Sequence, residues 1–187
     1  LGLRHDFTPR SSTLASFIYQ DADLDTVVIP DFFEIKGDLD FYVGEIRHTY
    51  SSDIFNITGG AGHRYLDEKV KDLGFPKEKT NTKFTNAYAY SQIDLHEGLS
   101  LILGASADFQ YSGDKGEDRD QFNPKMGLIW NPHPSTTMRA AAFRTLCKPG
   151  VSRRIIDPTL EPTEVAGFNQ FFFGAEGDRE WRYGVAV

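Results

Sequence analysis

The chain has 187 residues, enough for one domain with a sizeable core, and its 15 Phe, 8 Tyr and 17 Gly favour strands and turns over helices. A formal net charge of −7 with no Lys/Arg-rich run excludes a phosphate-neutralising nucleic-acid binder, and the single cysteine, Cys147, excludes an internal disulfide framework or a cysteine-built zinc site. The absence of any apolar run of about 18 residues excludes a helical membrane span, but leaves open a barrel whose strands cross with roughly 10 alternating residues each.

In chain order, Leu1, Leu3 and Phe7 alternate with Gly2, Arg4 and Asp6 in a short strand that turns at Pro9, and residues 13–20 return with Ala15, Phe17 and Tyr19 on one face. The acidic residues Asp21, Asp23, Asp25 and Asp31 with Pro30 read as a longer connection. Residues 32–50 are extended, but their apolar parity switches from Phe41 and Val43 to Tyr42, Ile46 and Tyr50, which predicts a bulge near Gly37 or Gly44. A short turn at Ser51-Ser52-Asp53 leads to a strand over residues 54–61. The mixed charge of residues 62–82 predicts a long solvated loop, with a little helix around residues 66–73.

Residues 84–95 resume the strand pattern and turn at His96-Glu97-Gly98. The return strand is the cleanest: Leu99, Leu101, Leu103, Ala105, Ala107, Phe109 and Tyr111 share one face, and a one-residue slip moves all seven to the other. After a charged loop over residues 112–121, Phe122, Met126, Leu128 and Trp130 alternate with Asn123, Lys125, Gly127 and Asn131 up to a turn at Pro132 and Pro134, followed by a strand to Leu146. A charged loop then runs to Leu160, residues 165–173 are strand-like, residues 174–180 turn, and Trp181, Tyr183, Val185 and Val187 alternate with Arg182, Gly184 and Ala186. The expected architecture is all-β, antiparallel and up-and-down, with about ten strands.

The turns alternate short and long, short near residues 9, 52, 97, 133 and 176 and long near 26, 72, 116 and 153, as in outer-membrane barrels with brief periplasmic turns and longer outer loops. A soluble β-sandwich or small-barrel binding module explains the alternation equally well but does not predict that asymmetry. On the barrel reading Leu99, Leu101, Leu103, Phe109, Tyr111, Trp130, Trp181 and Tyr183 face lipid, while Arg4, Asp6, Glu45, Arg47, Arg139 and Arg182 face the lumen. For the lumenal charges, ion pairing between neighbouring strands is the purely structural alternative.

No motif carries catalysis. His5, His48, His63, His96 and His133 never reach a metal-binding spacing, and Gly59-Gly60-Ala61-Gly62 is not followed by the Lys-Ser/Thr of a phosphate loop. Ser106, in Gly104-Ala105-Ser106-Ala107-Asp108, lacks the second glycine of a nucleophile elbow and lies within the cleanest strand. Asp114, Glu117, Asp118 and Asp120 miss the calcium-loop spacing, so they read as a solvated loop. Neither a cofactor nor a metal is expected.

The stretch Asn123-Pro124-Lys125-Met126-Gly127-Leu128-Ile129-Trp130-Asn131-Pro132, followed by Thr137-Met138-Arg139-Ala140-Ala141-Ala142-Phe143-Arg144, resembles a hairpin of TonB-dependent outer-membrane receptor barrels. Leu160-Glu161-Pro162-Thr163-Glu164 is similar to a second family element that opens a strand, with Thr163 where the acid is usual. The resemblance implies a barrel of about 22 strands around an N-terminal plug. It further implies ligand uptake driven through a TonB-type energy-coupling protein, provided that a plug lies upstream. Residues 1–187 are then expected to be a barrel segment without a plug domain, from a bacterial outer membrane, whose partners are the lipid bilayer and a small-molecule ligand. A porin or polysaccharide-export channel is the near alternative.

Overall fold

A computed structural model describes residues 1–29, 33–72, 78–113, 118–148, 159–171, 174–175 and 177–187. Nine strands form one sheet: β1 (Gly2–Thr8), β2 (Ser11–Ile29), β3 (Phe33–Ser51), β4 (Phe55–Asp72), β5 (Glu78–His96), β6 (Leu99–Tyr111), β7 (Arg119–His133), β8 (Thr136–Leu146) and β11 (Arg179–Ala186). Each pairs antiparallel with its neighbour in the order β1 to β8 and then β11, the up-and-down order expected of a barrel wall. Between β8 and β11 two short strands, β9 (Glu164–Val165) and β10 (Phe168–Asn169), pair only with each other. No α-helix occurs among the described residues, and no helix is long and apolar enough to cross a membrane.

The period of two separates the faces of the sheet. On β7, Gln121, Asn123, Lys125 and Gly127 are buried while Phe122, Met126, Leu128 and Trp130 are exposed. We call these the covered and the open face. Along the open face Leu103, Phe109, Tyr111, Trp181 and Tyr183 are exposed large apolar residues, whereas Glu45, Arg64, Asn86, Asp108, Asn123 and Lys125 are buried on the other. This inverts the usual soluble-protein order, in which charge is outside and apolar bulk is inside.

Several expectations are corrected. Residues 21–29 belong to β2, in register with β3 from Asp21↔Asp40 to Ile29↔Phe33, and β4 and β5 pair through most of the stretch read as a solvated loop, with strand where a helix is expected at residues 66–72. The charges misled because Asp21, Asp40 and Asp67 project from the open face at every second position. They begin just past a row of aromatic rings, Tyr19, Tyr42 and Tyr65, whose centroids are 4.8 and 6.2 Å apart. At 18 or 19 residues, β2 to β5 far exceed the roughly 9–11 residues a membrane crossing needs, so their charged ends continue the sheet beyond the apolar band.

No bulge occurs at Gly37 or Gly44, where β3 pairs without a break on both sides. The parity switch instead records two apolar surfaces, since Leu39, Phe41 and Val43 pack with Leu66 on the covered face while Tyr42, Ile46 and Tyr50 lie on the open one. Of the stretch read as strand over residues 165–173, residues 165–171 do not join the wall, and 172–173 lie outside the described residues. The turn expected near residue 176, itself outside the described residues, falls between the neighbouring wall strands β8 and β11 and does not add to the short turns. The remaining short turns, at residues 9–10, 52–54, 97–98 and 134–135, all lie at one end of the sheet.

Candidate functional site

Residues 159–171 fold back as a strap over the covered face. Val165 and Ala166 are almost wholly buried against Tyr88, Tyr90, Ala141 and Phe143, with Phe168 packed beside them. The strap lies so close to β7 that a Cβ on Gly127 would meet Ala166 Cβ at 2.8 Å, which explains the absence of a side chain in an otherwise alternating strand. Its hairpin turns through Ala166 (φ 50°) and Gly167 (φ 84°). A Cβ at Gly167 would come within 2.5 Å of the Arg139 guanidinium. We expect Gly167→Val to cost about 1–2 kcal/mol in backbone strain alone, read as faster proteolysis within the strap while the wall stays intact.

Glu161 sits at the centre of the site. Its carboxylate accepts from Lys148 Nζ at 2.5 Å, the Tyr90 hydroxyl at 2.7 Å and Asn86 Nδ2 at 3.1 Å, and it is 2% exposed. Gln170, wholly buried, donates to the Tyr90 hydroxyl at 3.0 Å and to the Pro162 carbonyl. Lys148 also lies over the Phe171 ring at 4.6 Å from its centroid. Burial alone would raise the Glu161 pKa, but Lys148 and Lys125 with the hydrogen bonds from Lys148 and Tyr90 outweigh it, so the net shift is downward and the carboxylate stays ionised.

A second anchor ties the strap to β3. Glu45 accepts from the Leu160 backbone N–H, from Thr159 Oγ1 at 3.3 Å and from Arg64 at 3.4 Å, while Arg47 donates to the Leu160 carbonyl at 3.1 Å. Farther along, Asn123 donates to Asp108 at 2.5 Å and to Ser106 at 3.3 Å. Pro124 has no N–H to give to β8, and the β7–β8 register begins only at Lys125↔Phe143. Side chains take over beyond it: Lys125 Nζ donates to the Arg144 carbonyl at 3.4 Å and Gln121 Nε2 to the Thr145 carbonyl at 3.0 Å.

All six charged residues singled out in the sequence lie on the covered-face parity, but only four reach the strap. Glu45 and Arg47 grip Leu160, Arg139 packs at Gly167, and Arg182 donates to the Asn169 carbonyl at 3.4 Å and pairs with Glu180 at 3.0 Å. Arg4 and Asp6 pair with each other at 3.0 Å along an exposed strand and touch none of this. The eight apolar candidates share the open-face parity, with Leu99 and Leu101 half-buried by their neighbours. Asn86, Tyr90, Lys148 and Gln170 were missed as site residues. For Asn86 and Lys125 the polar residue at every second strand position was the available signal, whereas nothing local announces Lys148 and Gln170.

Among the described residues no group of three or more His, Cys, Asp or Glu residues could hold a metal, and residues 114–117 of the acidic stretch lie outside them. The arrangement binds and positions a peptide segment through buried charge.

Residues 1–171 match the family model described as TonB dependent receptor-like, beta-barrel. Among solved structures, a chain of the FpvAI–pyocin S2 complex aligns with TM-score 0.58 at 12% identity, and the ferric citrate transporter FecA in its unliganded form with TM-score 0.53 at 13% identity. Each alignment covers 78% of this chain but only 25% and 26% of the other, so this chain spans about a quarter of their length. No match was found among curated proteins. With the family model covering most of the sequence, and the fold an up-and-down antiparallel wall with one exposed apolar face, the chain belongs to the TonB-dependent receptor-like β-barrel family.

Proposed function

We propose that the chain forms part of the wall of a bacterial outer-membrane receptor that takes up a small ligand, with energy supplied through a TonB-type coupling protein. The carrying observation is the inverted order of the sheet, in which Leu103, Phe109, Trp130 and Trp181 are exposed on one face while the ion-paired Glu161, Lys148, Glu45 and Arg64 are buried on the other. On this reading the open face meets lipid, the covered face lines the lumen, and the short turns mark the periplasmic rim. Transport, not chemistry, is the activity. The ligand stays undefined, because the buried charges are already paired with the strap and advertise no particular cargo.

The experiment is the solvent requirement of the intact protein. Folding to a strand-rich, heat-resistant form is expected only with detergent micelles or liposomes, and fractionation should place the protein with outer membranes. A monomer that is fully folded in plain buffer would overturn the proposal.

A further inference from the structure

We propose that Arg47 and Tyr88, facing each other across Gly60, form a site for the carboxylate of a small ligand on the covered face, closed by the strap and opened as Leu160 lifts. The proposal deepens the uptake reading above by naming a ligand class. Arg47 is only partly matched at its anchor. The Glu45 carboxylate is shared among Arg64, Thr159 and the Leu160 N–H, and Arg47 makes no ion pair among the described residues. Its Nη1 donates to the Leu160 carbonyl at 3.1 Å, while its Nε is shut off from solvent and has no hydrogen-bond partner. Arg139 and Arg179 are also unpaired, but they are exposed, and Arg144, half-buried on the open face, has no orphaned nitrogen of this kind.

A second orphan lies beside the first. Gly60 of β4 is in register with Arg47 on one side and Tyr88 on the other, and a Cβ there would meet both the Tyr88 hydroxyl and the Ile46 carbonyl at 2.5 Å. The Tyr88 ring therefore lies over the glycine and carries its hydroxyl across β4 toward the strand that bears Arg47. Tyr88 is 6% exposed, and its hydroxyl also lacks a partner. Part of the Gly59-Gly60-Ala61-Gly62 run thus has a purpose, since any side chain at residue 60 would push the hydroxyl away.

A buried donor without an acceptor is destabilising, and here two sit together beside a cation. Leu160 brings one neutral oxygen to this place. A carboxylate brings two charged ones, enough for the fork of the guanidinium and the tyrosine hydroxyl at once. Because no solvent reaches Nε or the hydroxyl while Leu160 is held on Arg47, the ligand binds the form with the strap lifted and draws the population toward it.

The intact protein, folded in mild detergent, is titrated with sodium acetate against sodium chloride of equal ionic strength, with acetamide as the uncharged isostere, and amide exchange is read at Leu160. Acetate should lower the protection of that amide, and chloride and acetamide should not. Tyr88→Phe should need about tenfold more acetate for the same loss. Arg47→Gln should not respond to acetate, and Arg47→Lys, which keeps the charge but not the fork, should respond weakly. Equal effects of the three solutes, or an acetate response unchanged in both Tyr88→Phe and Arg47→Gln, would overturn the proposal. If Arg47→Gln frees the strap by itself, Tyr88→Phe still decides, because its hydroxyl bonds nothing in the strap. The response is read on the folded protein whether detergent or plain buffer keeps it folded, so its absence is distinct from failure of the membrane reading.

Discussion

Leu103→Arg should abolish insertion into liposomes. Leu103 lies mid-strand on β6, 43% exposed on the open face, between Ser91 of β5 and Met126 of β7. An arginine there places a charge in hydrocarbon at a cost of about 2–4 kcal/mol near the midplane. The flanking residues Leu101 and Ala105 on the same face offer nothing to pair with it. The check is the folded fraction after dilution from urea into liposomes, followed by the gel mobility of unheated samples. Insertion indistinguishable from that of the unaltered protein would show that Leu103 does not face lipid.

Glu161→Gln should release the strap while leaving the wall in place. The substitution preserves shape but leaves Lys148, 4% exposed, as an uncompensated charge, and breaking a buried pair from one side costs about 3–5 kcal/mol. In amide exchange this appears as loss of protection over residues 160–170, by a factor on the order of 100 or more, with β4 to β6 unchanged. Adding Lys148→Met should restore much of the protection, since removing both charges lifts the desolvation penalty. Acid should act in the same direction. Because the carboxyl pKa is lowered in the folded state, its contribution is complete above the ordinary Glu range near 4.3 and is lost as pH falls through the depressed folded value. Protection that persists in Glu161→Gln would assign strap retention to Val165 and Ala166 alone.

What could be read from the sequence follows from how locally each feature is encoded. β6 and β7 were legible because one face is uniformly apolar or small over many residues, which leaves a single register. The outer halves of β2 to β5 were illegible for the opposite reason. Beyond the tyrosine row the open face meets water, so Asp21 and Asp23 look like loop residues although their backbone is paired throughout. The family motif brought Glu161 to notice, but as the opening of a wall strand and not as the centre of a buried charge network. Its partners come from β5 and from just past β8, with Gln170 of the strap joining through Tyr90, and such a meeting is a property of the fold with no period in the chain. Pro124 lies between these cases, since a proline within a strand marks a broken ladder, but only the structure shows Gln121 and Lys125 closing the gap.

The two anchors of the strap have a mechanical meaning. The strap is continuous with β8 and β11, yet Glu45 and Arg47 hold its Leu160 on β3, with β4 to β7 lying between in the sheet. From Leu160 held on β3 to Asn169 held by Arg182 of β11, it ties together strands that are far apart in the sheet order. The strap is thus a cross-link outside the ladder, and unfastening Glu45 or Glu161 removes a tie between distant strands while every rung between neighbours stays paired.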